Sequence, residues 1–243
     1  MVGDELAGRL ALASLVSVLS PSAVDAALQR CGRVAQRVRT LPPWVTTYHV
    51  LASAVFPAAG YEEVTALLWS SLQAATGRGL ARQLPSRGAV TRARARLGVE
   101  PFEVLLADML AGHDAEHVYL QKVQTSSTGL WWICDAGTGA LRGCALRADD
   151  HAAPLRLVGE AKARAVVVCP PYDHASRALL ELLASSVTVS VGEMPVGFVS
   201  PWANPRVRSA GAWAQDALAR ACVSVAQERA LTFARDASSR VRN

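Results

Sequence analysis

Lysine is nearly missing from this chain. Lys122 and Lys162 are the only two in 243 residues, so arginine carries almost all of the positive charge. Arg, Ala and Val abound together, as a GC-rich genome produces, so arginine counts alone carry little weight. A net charge of +5 and a pI near 9.2 permit a nucleic-acid partner without demanding one. Cysteine is scarce and odd in number, with no C-x-x-C pair among Cys31, Cys134, Cys144, Cys169 and Cys222. Such usage fits a reduced, intracellular protein whose thiols serve as small apolar groups. Cys134 and Cys144 could face each other across a hairpin, but no disulfide is expected in that compartment. Long apolar runs are absent too. The nearest approach, residues 50–60, is broken by Pro57 and Gly60, so no membrane span is expected. Leu10 to Leu19 is apolar, yet Asp4 and Glu5 sit where a secretion signal would be positive. Leu6, Leu10, Leu15 and Leu19 recur at helical spacing instead, and a cytoplasmic location is expected.

What is present changes character near residue 115. A hydrophobic content of 51% over this length supplies one large core or two small ones. Residues 5–111 read as helices. Ser20 followed by Pro21 starts one, and Leu41-Pro42-Pro43 precedes another with Trp44, Tyr48, Leu51 and Val55 on a stripe. A third carries Val64, Leu67, Leu68 and Leu72 and stops at Gly77, and Ser86 opens a fourth that Gly98 closes. Beyond residue 115, "HVYLQKVQ", "LWWICD", "ALRGCALR", "PLRLVG" and "RAVVVC" are strand-like, separated by turn residues. "HASRALLELLA" is a helix, "VTVSV" a further strand, and a long amphipathic helix runs from about Ala210 to Asp236. Neighbouring strand residues face opposite sides, so of the adjacent Trp131 and Trp132 one is expected in a core, and the other is read as core or subdomain packing in preference to an interface contact or stacking surface.

The stretch from Val64 to Val99 holds no Asp or Glu but contains Arg78, Arg82, Arg87, Arg92, Arg94 and Arg96. At 100° per residue, Arg92 and Arg96 share a helix face and Arg94 points away from both. Guanidinium forks grip phosphates in two-pronged fashion, and Ser86 and Thr91 near a helix N-terminus add neutral donors and a favourable dipole. The plainer reading is a solvated helix, with Arg94 in a structural ion pair to Glu62, Glu63 or Glu100. Two other motifs explain themselves without chemistry. "HDAEH", from His113 to His117, has zinc-motif spacing but follows Gly112 and leads into a strand, as a polar linker does. Asp173 before His174 reads as a helix N-cap, and no G-x-S-x-G nucleophile motif accompanies it.

Leu41-Pro42, Tyr48, Gly60-Tyr61-Glu62-Glu63-Val64, Pro85 with Ala89-Val90, and Ala93-Arg94-Ala95-Arg96-Leu97-Gly98 with Pro101 occur in one order. In that order they resemble the N-terminal domain of bacterial insertion-sequence-four (IS-four) type transposases, over roughly residues 5–111. The resemblance implies an α+β protein: an all-α DNA-binding domain at 1–112, then a small, truncated ribonuclease-H-like α/β domain at 118–243 ending in the long helix. That catalytic fold runs β-β-β-α-β-α and uses three carboxylates on paired divalent metals to attack phosphodiesters. Its first carboxylate sits on the first strand, which Asp135 in "WWICDAGTG" matches loosely. Its second ends the fourth strand. Aligning "VTVSVGEMPVGF" puts Gly192 there, with Glu193 beside it. Its third lies in a Tyr-x-x-Arg-x-x-x-Glu helix after a long insertion. Glu228 is in place, but Ser224 stands where that pattern has Arg and Ala221 where it has Tyr, and the insertion has no room.

The resulting expectation is a transposase-derived protein that binds double-stranded DNA through Arg82, Ser86, Arg87, Thr91, Arg92, Arg94 and Arg96. It lacks strand-transfer activity and needs no cofactor. Were activity retained, Asp135 would be a Mg²⁺ ligand, with Glu193 and Glu228 completing a substitute catalytic set. The last helix, with Trp213, Leu218, Ala221, Val225 and Leu231 in a stripe, either covers the sheet or makes a homodimer. The alternative is a domesticated regulatory protein that binds a protein partner instead of DNA.

Overall fold

The computed structural model describes residues 2–34, 41–124, 129–146, 152–169, 174–193 and 210–241. Six helices come first: α1 (Val2–Val18), α2 (Pro21–Arg30), α3 (Pro43–Val55), α4 (Tyr61–Thr76), α5 (Arg87–Leu97) and α6 (Glu100–Leu110). Then follow β1 (His117–Gln124), β2 (Gly129–Asp135), β3 (Leu141–Leu146), α7 (Ala152–Glu160), β4 (Ala165–Cys169), α8 (His174–Ala184), β5 (Thr188–Val191) and α9 (Ala210–Val241). The chain divides into two compact units, Met1–Met109 with Val207–Asn243, and Leu110–Arg206.

The first unit is helical. Its centre is α3, in which every residue from Val45 to Ala52 is buried, Thr46, Thr47 and His49 included. The two threonines keep their hydroxyls satisfied by donating to the Pro42 and Pro43 carbonyls one turn back. The Tyr48 hydroxyl donates to the Leu19 carbonyl beyond the end of α1. Side chains of Val24, Leu28, Val64, Leu68, Leu72, Phe102 and Leu105 complete this core. No single described helix is long and apolar enough to cross a membrane.

The long helix α9 corrects the expected domain division. The 118–243 assignment gave it to the second domain, but it groups with the helical unit and packs on α3, α1 and α5. Ala214, Ala217, Leu218, Ala221, Cys222 and Val225 are buried along it. Those mostly small side chains let its backbone approach the crowded face of α3. An apolar stripe reports that a helix must be covered but not by what, which is why sequence periodicity misassigned it. Of the expected stripe, Leu231 is exposed, and the side chain of Trp213 lies outside the described residues.

The second unit is a five-stranded mixed sheet in the order β3-β2-β1-β4-β5. β1, β2 and β3 are antiparallel neighbours, while β4 runs parallel to β1 and β5 parallel to β4. One sheet face, with Val118, Leu120, Trp131, Ile133, Ala145, Val166 and Val168, forms a core with Ala153, Leu157 and Val158 of α7 and Leu179 and Leu183 of α8. Gly143 on that face lies so close to Leu157 that a Cβ there would stand 2.8 Å from its Cδ2, so glycine sets how near α7 comes. "PLRLVG", expected as a strand, is part of α7. Its local alternation looks strand-like, but Ala153, Leu157 and Val158 recur at i, i+4 and i+5, the spacing of a helix face. Trp131 and Trp132 are both buried, at 5% and 3% exposure, as the core or packing reading expects of both. Cys134 pairs across the ladder with Leu141, and Cys144 with Trp132, so the two thiols do not face each other, and all five cysteines are free.

Candidate nucleic-acid interface

The segment from Gly77 to Gly98 begins and ends on glycines with positive φ, +68° and +74°. Gly77 terminates α4 in the left-handed conformation, and Gly98 closes α5. The connection between these helices has no secondary structure of its own, yet it is tied down repeatedly. The Arg78 guanidinium forms a fork on the Asp25 carboxylate, at 3.1 and 2.5 Å, and lies 5.3 Å from the centre of the Trp44 ring. Trp69 donates its indole N–H to the Ala81 carbonyl at 2.9 Å. Tyr61 donates its hydroxyl to the Pro85 carbonyl at 3.0 Å. The Tyr61 ring lies 5.6 Å from His49, whose Nε2 shares a hydrogen bond with the Thr65 hydroxyl. Burial pushes the His49 imidazole down to about 4, and the positive charge of Arg94 acts in the same direction, so the ring is neutral.

At the start of α5, the Ser86 hydroxyl accepts from the Ala89 amide at 3.3 Å, the cap its position requires. Val90, Ala93 and Leu97 are the buried face of the helix. Arg87, Thr91, Arg92 and Arg96 consequently fall on the exposed side, and Arg82 is exposed in the connection before it. None of Arg82, Arg87, Arg92 and Arg96 has an ion pair with another described residue. Ser86 and Thr91 are exposed, but both hydroxyls already have backbone partners, Ala89 N–H and the Arg87 carbonyl.

Arg94 departs from the expected set. Its guanidinium is ion-paired to Asp216 and donates to the Gln215 side-chain carbonyl at 2.9 Å, while the Gln215 amide donates to the Arg94 and Gly98 carbonyls. It locks the end of α5 onto α9 and is not a free phosphate ligand. The physical reason is the two steps of about 100° that separate it from each of Arg92 and Arg96: on the flank of the buried face, it meets α9. Its partner is Asp216 and not Glu62, Glu63 or Glu100. Arg78 is likewise committed, to Asp25. A shallow cavity of about 390 Å³ lies between the end of α2, the start of α3 and α5, with Arg33 and Arg96 beside Leu41, Pro43 and Leu97.

The expected carboxylate set does not assemble. Asp135 ends the second strand, not the first, because "HVYLQKVQ" is β1 and contains no Asp or Glu. Its Oδ1 accepts from the Gly137 amide at 3.1 Å and from the Thr138 amide and hydroxyl, both at 2.7 Å. Partial burial raises its affinity for a proton, but the Thr138 and Gly137 hydrogen bonds and the Arg142 charge outweigh this and hold the carboxyl below its ordinary value. Asp135 is therefore the organising acceptor of a tight turn. Glu193 follows β5, the fifth strand and not the fourth, and β4 itself ends in Cys169. Sheet order and register put Asp135 beside the start of β1 and Glu193 past the end of β5. They are roughly 14 Å apart across the strands and about 13 Å along them. Glu228 belongs to α9, in the helical unit. Among the described residues no group of three His, Cys, Asp or Glu side chains converges as metal ligands would, so this donor set does not fit a two-metal centre.

The zinc-like spacing dissolves for a similar reason. Asp114 pairs with Lys162 at 2.9 Å and Glu116 with Arg164 at 3.3 Å, while His113 is exposed against the Ala111 carbonyl. These residues staple the entry of β1 to the entry of β4. Asp173 lies outside the described residues, and α8 starts at His174. The residues that sequence reasoning missed are the anchors Tyr61, Trp69 and Asp25. Tyr61 alone carried a signal, as part of the Gly-Tyr-Glu element.

Comparison with curated proteins and with solved structures yields no match for the chain. A protein-family model described as insertion element 4 transposase N-terminal matches residues 9–107, which is less than half of the chain and includes α2 to α5 whole. The matched stretch holds both the anchored connection and the arginine helix, so the similarity to insertion element 4 transposase N-terminal domains falls on the candidate interface itself.

Proposed function

We propose that this is a transposase-derived protein that binds double-stranded DNA through α5 and the connection before it, and that it does not carry out strand transfer. The observation that carries the reading is the division of labour among the arginines. Arg82, Arg87, Arg92 and Arg96 are exposed with no acidic partner among the described residues, while Arg78 and Arg94 are committed to Asp25 and Asp216. Free guanidinium groups on a preorganised scaffold suit a phosphate backbone, since each contact releases condensed counterions. Ser86 and Thr91 flank the same surface.

The sheet unit supports a ribonuclease-H-like origin, because its order β-β-β-α-β-α-β extends the order that the transposase resemblance implies. Its chemistry does not follow. The first strand has no carboxylate, the described end of the fourth strand has none, and Asp135 and Glu193 lie at opposite ends of the sheet. Magnesium needs several converging oxygens, and a carboxylate occupied by its own turn binds it weakly.

The test is binding of the full chain to short duplex DNA at two salt concentrations, with and without Mg²⁺, followed by gel inspection for nicked product. Expected is salt-sensitive binding that an Arg92→Ala/Arg96→Ala variant weakens, with no nicking. Nicking that Asp135→Ala abolishes would overturn the inactivity. Absence of binding at low salt would overturn the DNA reading and favour a protein partner.

A further inference from the structure

The connection between α4 and α5 is pinned at two carbonyls four residues apart. The Trp69 indole holds Ala81, and the Tyr61 hydroxyl holds Pro85. Arg78, forked on Asp25 and stacked near Trp44, fixes the approach from the other side, and the Ser86 cap fixes the exit into α5. Between the two pins, Arg82, Gln83 and Leu84 are all exposed, and none has a side-chain partner among the described residues. Leu84 is 54% exposed, an apolar side chain held in water beside a cationic surface.

Resting on the DNA-binding reading above, we infer that residues 82–84 form a rigid tip that reads base edges, while the arginines of α5 hold the phosphates. The chemistry of the three side chains matches that division. A guanidinium pairs with the guanine edge, a carboxamide with the adenine edge, and an aliphatic group packs against the thymine methyl. Phosphate contacts position a protein but carry no sequence information, so a chain that bound only through Arg87, Arg92 and Arg96 would bind every duplex alike. A tip that is already ordered loses little entropy on docking. Trp69 and Tyr61 are then positioning residues. They touch no DNA in this scheme and act through the backbone of the tip.

The experiment starts from a library of random duplexes, from which the wild-type full chain selects a preferred sequence. Affinities for that duplex and for a scrambled one are then compared between wild type and a Gln83→Ala/Leu84→Ala variant. Both substitutions are at exposed positions, so the fold should be kept, and a thermal melt verifies this. Expected is a roughly tenfold fall in the preferred-to-scrambled ratio, with affinity for the scrambled duplex within about twofold of wild type. Tyr61→Phe, which removes only the hydroxyl on Pro85, should lower the same ratio by a smaller factor. An unchanged ratio in the Gln83→Ala/Leu84→Ala variant overturns the inference and leaves DNA binding standing. Equal loss of affinity for both duplexes overturns it as well, since the tip would then be a backbone contact. A wild-type chain that binds with no preference overturns it alone, and one that binds no DNA overturns the broader reading with it.

Discussion

The arginine segment of the helical unit and the Asp135 hairpin of the sheet unit both concentrate polar groups at the end of a regular element, and they treat them in opposite ways. At the hairpin, one carboxylate oxygen accepts three hydrogen bonds from the turn that follows it. Its binding capacity is used internally. Along residues 78–96, Trp69, Tyr61, Ser86 and Asp25 satisfy the backbone and Arg78, and four other guanidinium groups are left facing solvent. A charged side chain in a suggestive motif is therefore a poor guide to a site until its partners are known. The useful question is which charges the fold leaves without one.

The sharpest break would come from removing the four free arginines together. Arg82, Arg87, Arg92 and Arg96→Ala should weaken duplex binding by at least roughly a hundredfold near 0.1 M salt and lower the salt slope by about 3 to 4. Titrations at several salt concentrations read both. A slope that stays unchanged would mean these side chains touch no phosphate.

A polar group of intermediate kind is His49, with Nε2 bonded to Thr65 and Nδ1 buried without a partner. Its value of about 4 in the fold lies below its ordinary 6.5. The unfolded chain therefore takes up the proton first as pH falls. Stability should be complete above about pH 6.5 and decline towards pH 4, by about 2 kcal/mol at pH 5. Thermal melts of wild type and His49→Gln at pH 7 and pH 5 check this. The variant should lose most of the difference.

Arg94 and Arg92, two residues apart on one helix, offer the most direct comparison. Arg94→Ala leaves Asp216 and the Gln215 side-chain oxygen without their partner and should cost about 1–3 kcal/mol in urea unfolding. Arg92→Ala should stay within about 0.5 kcal/mol while reducing DNA affinity. The smallest effect is expected at the hairpin. Asp135→Ala should cost about 1 kcal/mol or less. Because the folded carboxyl is held below its ordinary value, its contribution is present at neutral pH and lost as pH falls through the acid range. The acid unfolding curve of the variant should be correspondingly flatter.

Local signals of the fold were legible in the chain. Ser20 and Ser86 cap the helices they were expected to cap, Gly77 and Gly98 close theirs, and of the Val64, Leu67, Leu68, Leu72 stripe all but the half-buried Leu67 are buried. Each rests on contacts within a few residues, where backbone geometry follows from side-chain type. "PLRLVG" misled because six residues are too few to separate a period of 2 from one of 3.6. The candidate site was legible only as a list of arginines. Arg94 meets Asp216 across 122 positions, and nothing local distinguishes it from Arg92 or Arg96 except its angle on the helix.

By itself, then, the sequence determined the helix-then-sheet order, the caps and stops, the free cysteines and the similarity of residues 9–107 to insertion element 4 transposase N-terminal domains, all carried by near-neighbour pattern and ordered motif. The tertiary structure alone decided which unit takes α9, which arginines are free, and that Asp135 and Glu193 cannot share a metal. Those outcomes depend on side chains brought together from distant parts of the chain. Strand order and helix packing select such pairings, and spacing along the sequence does not encode them.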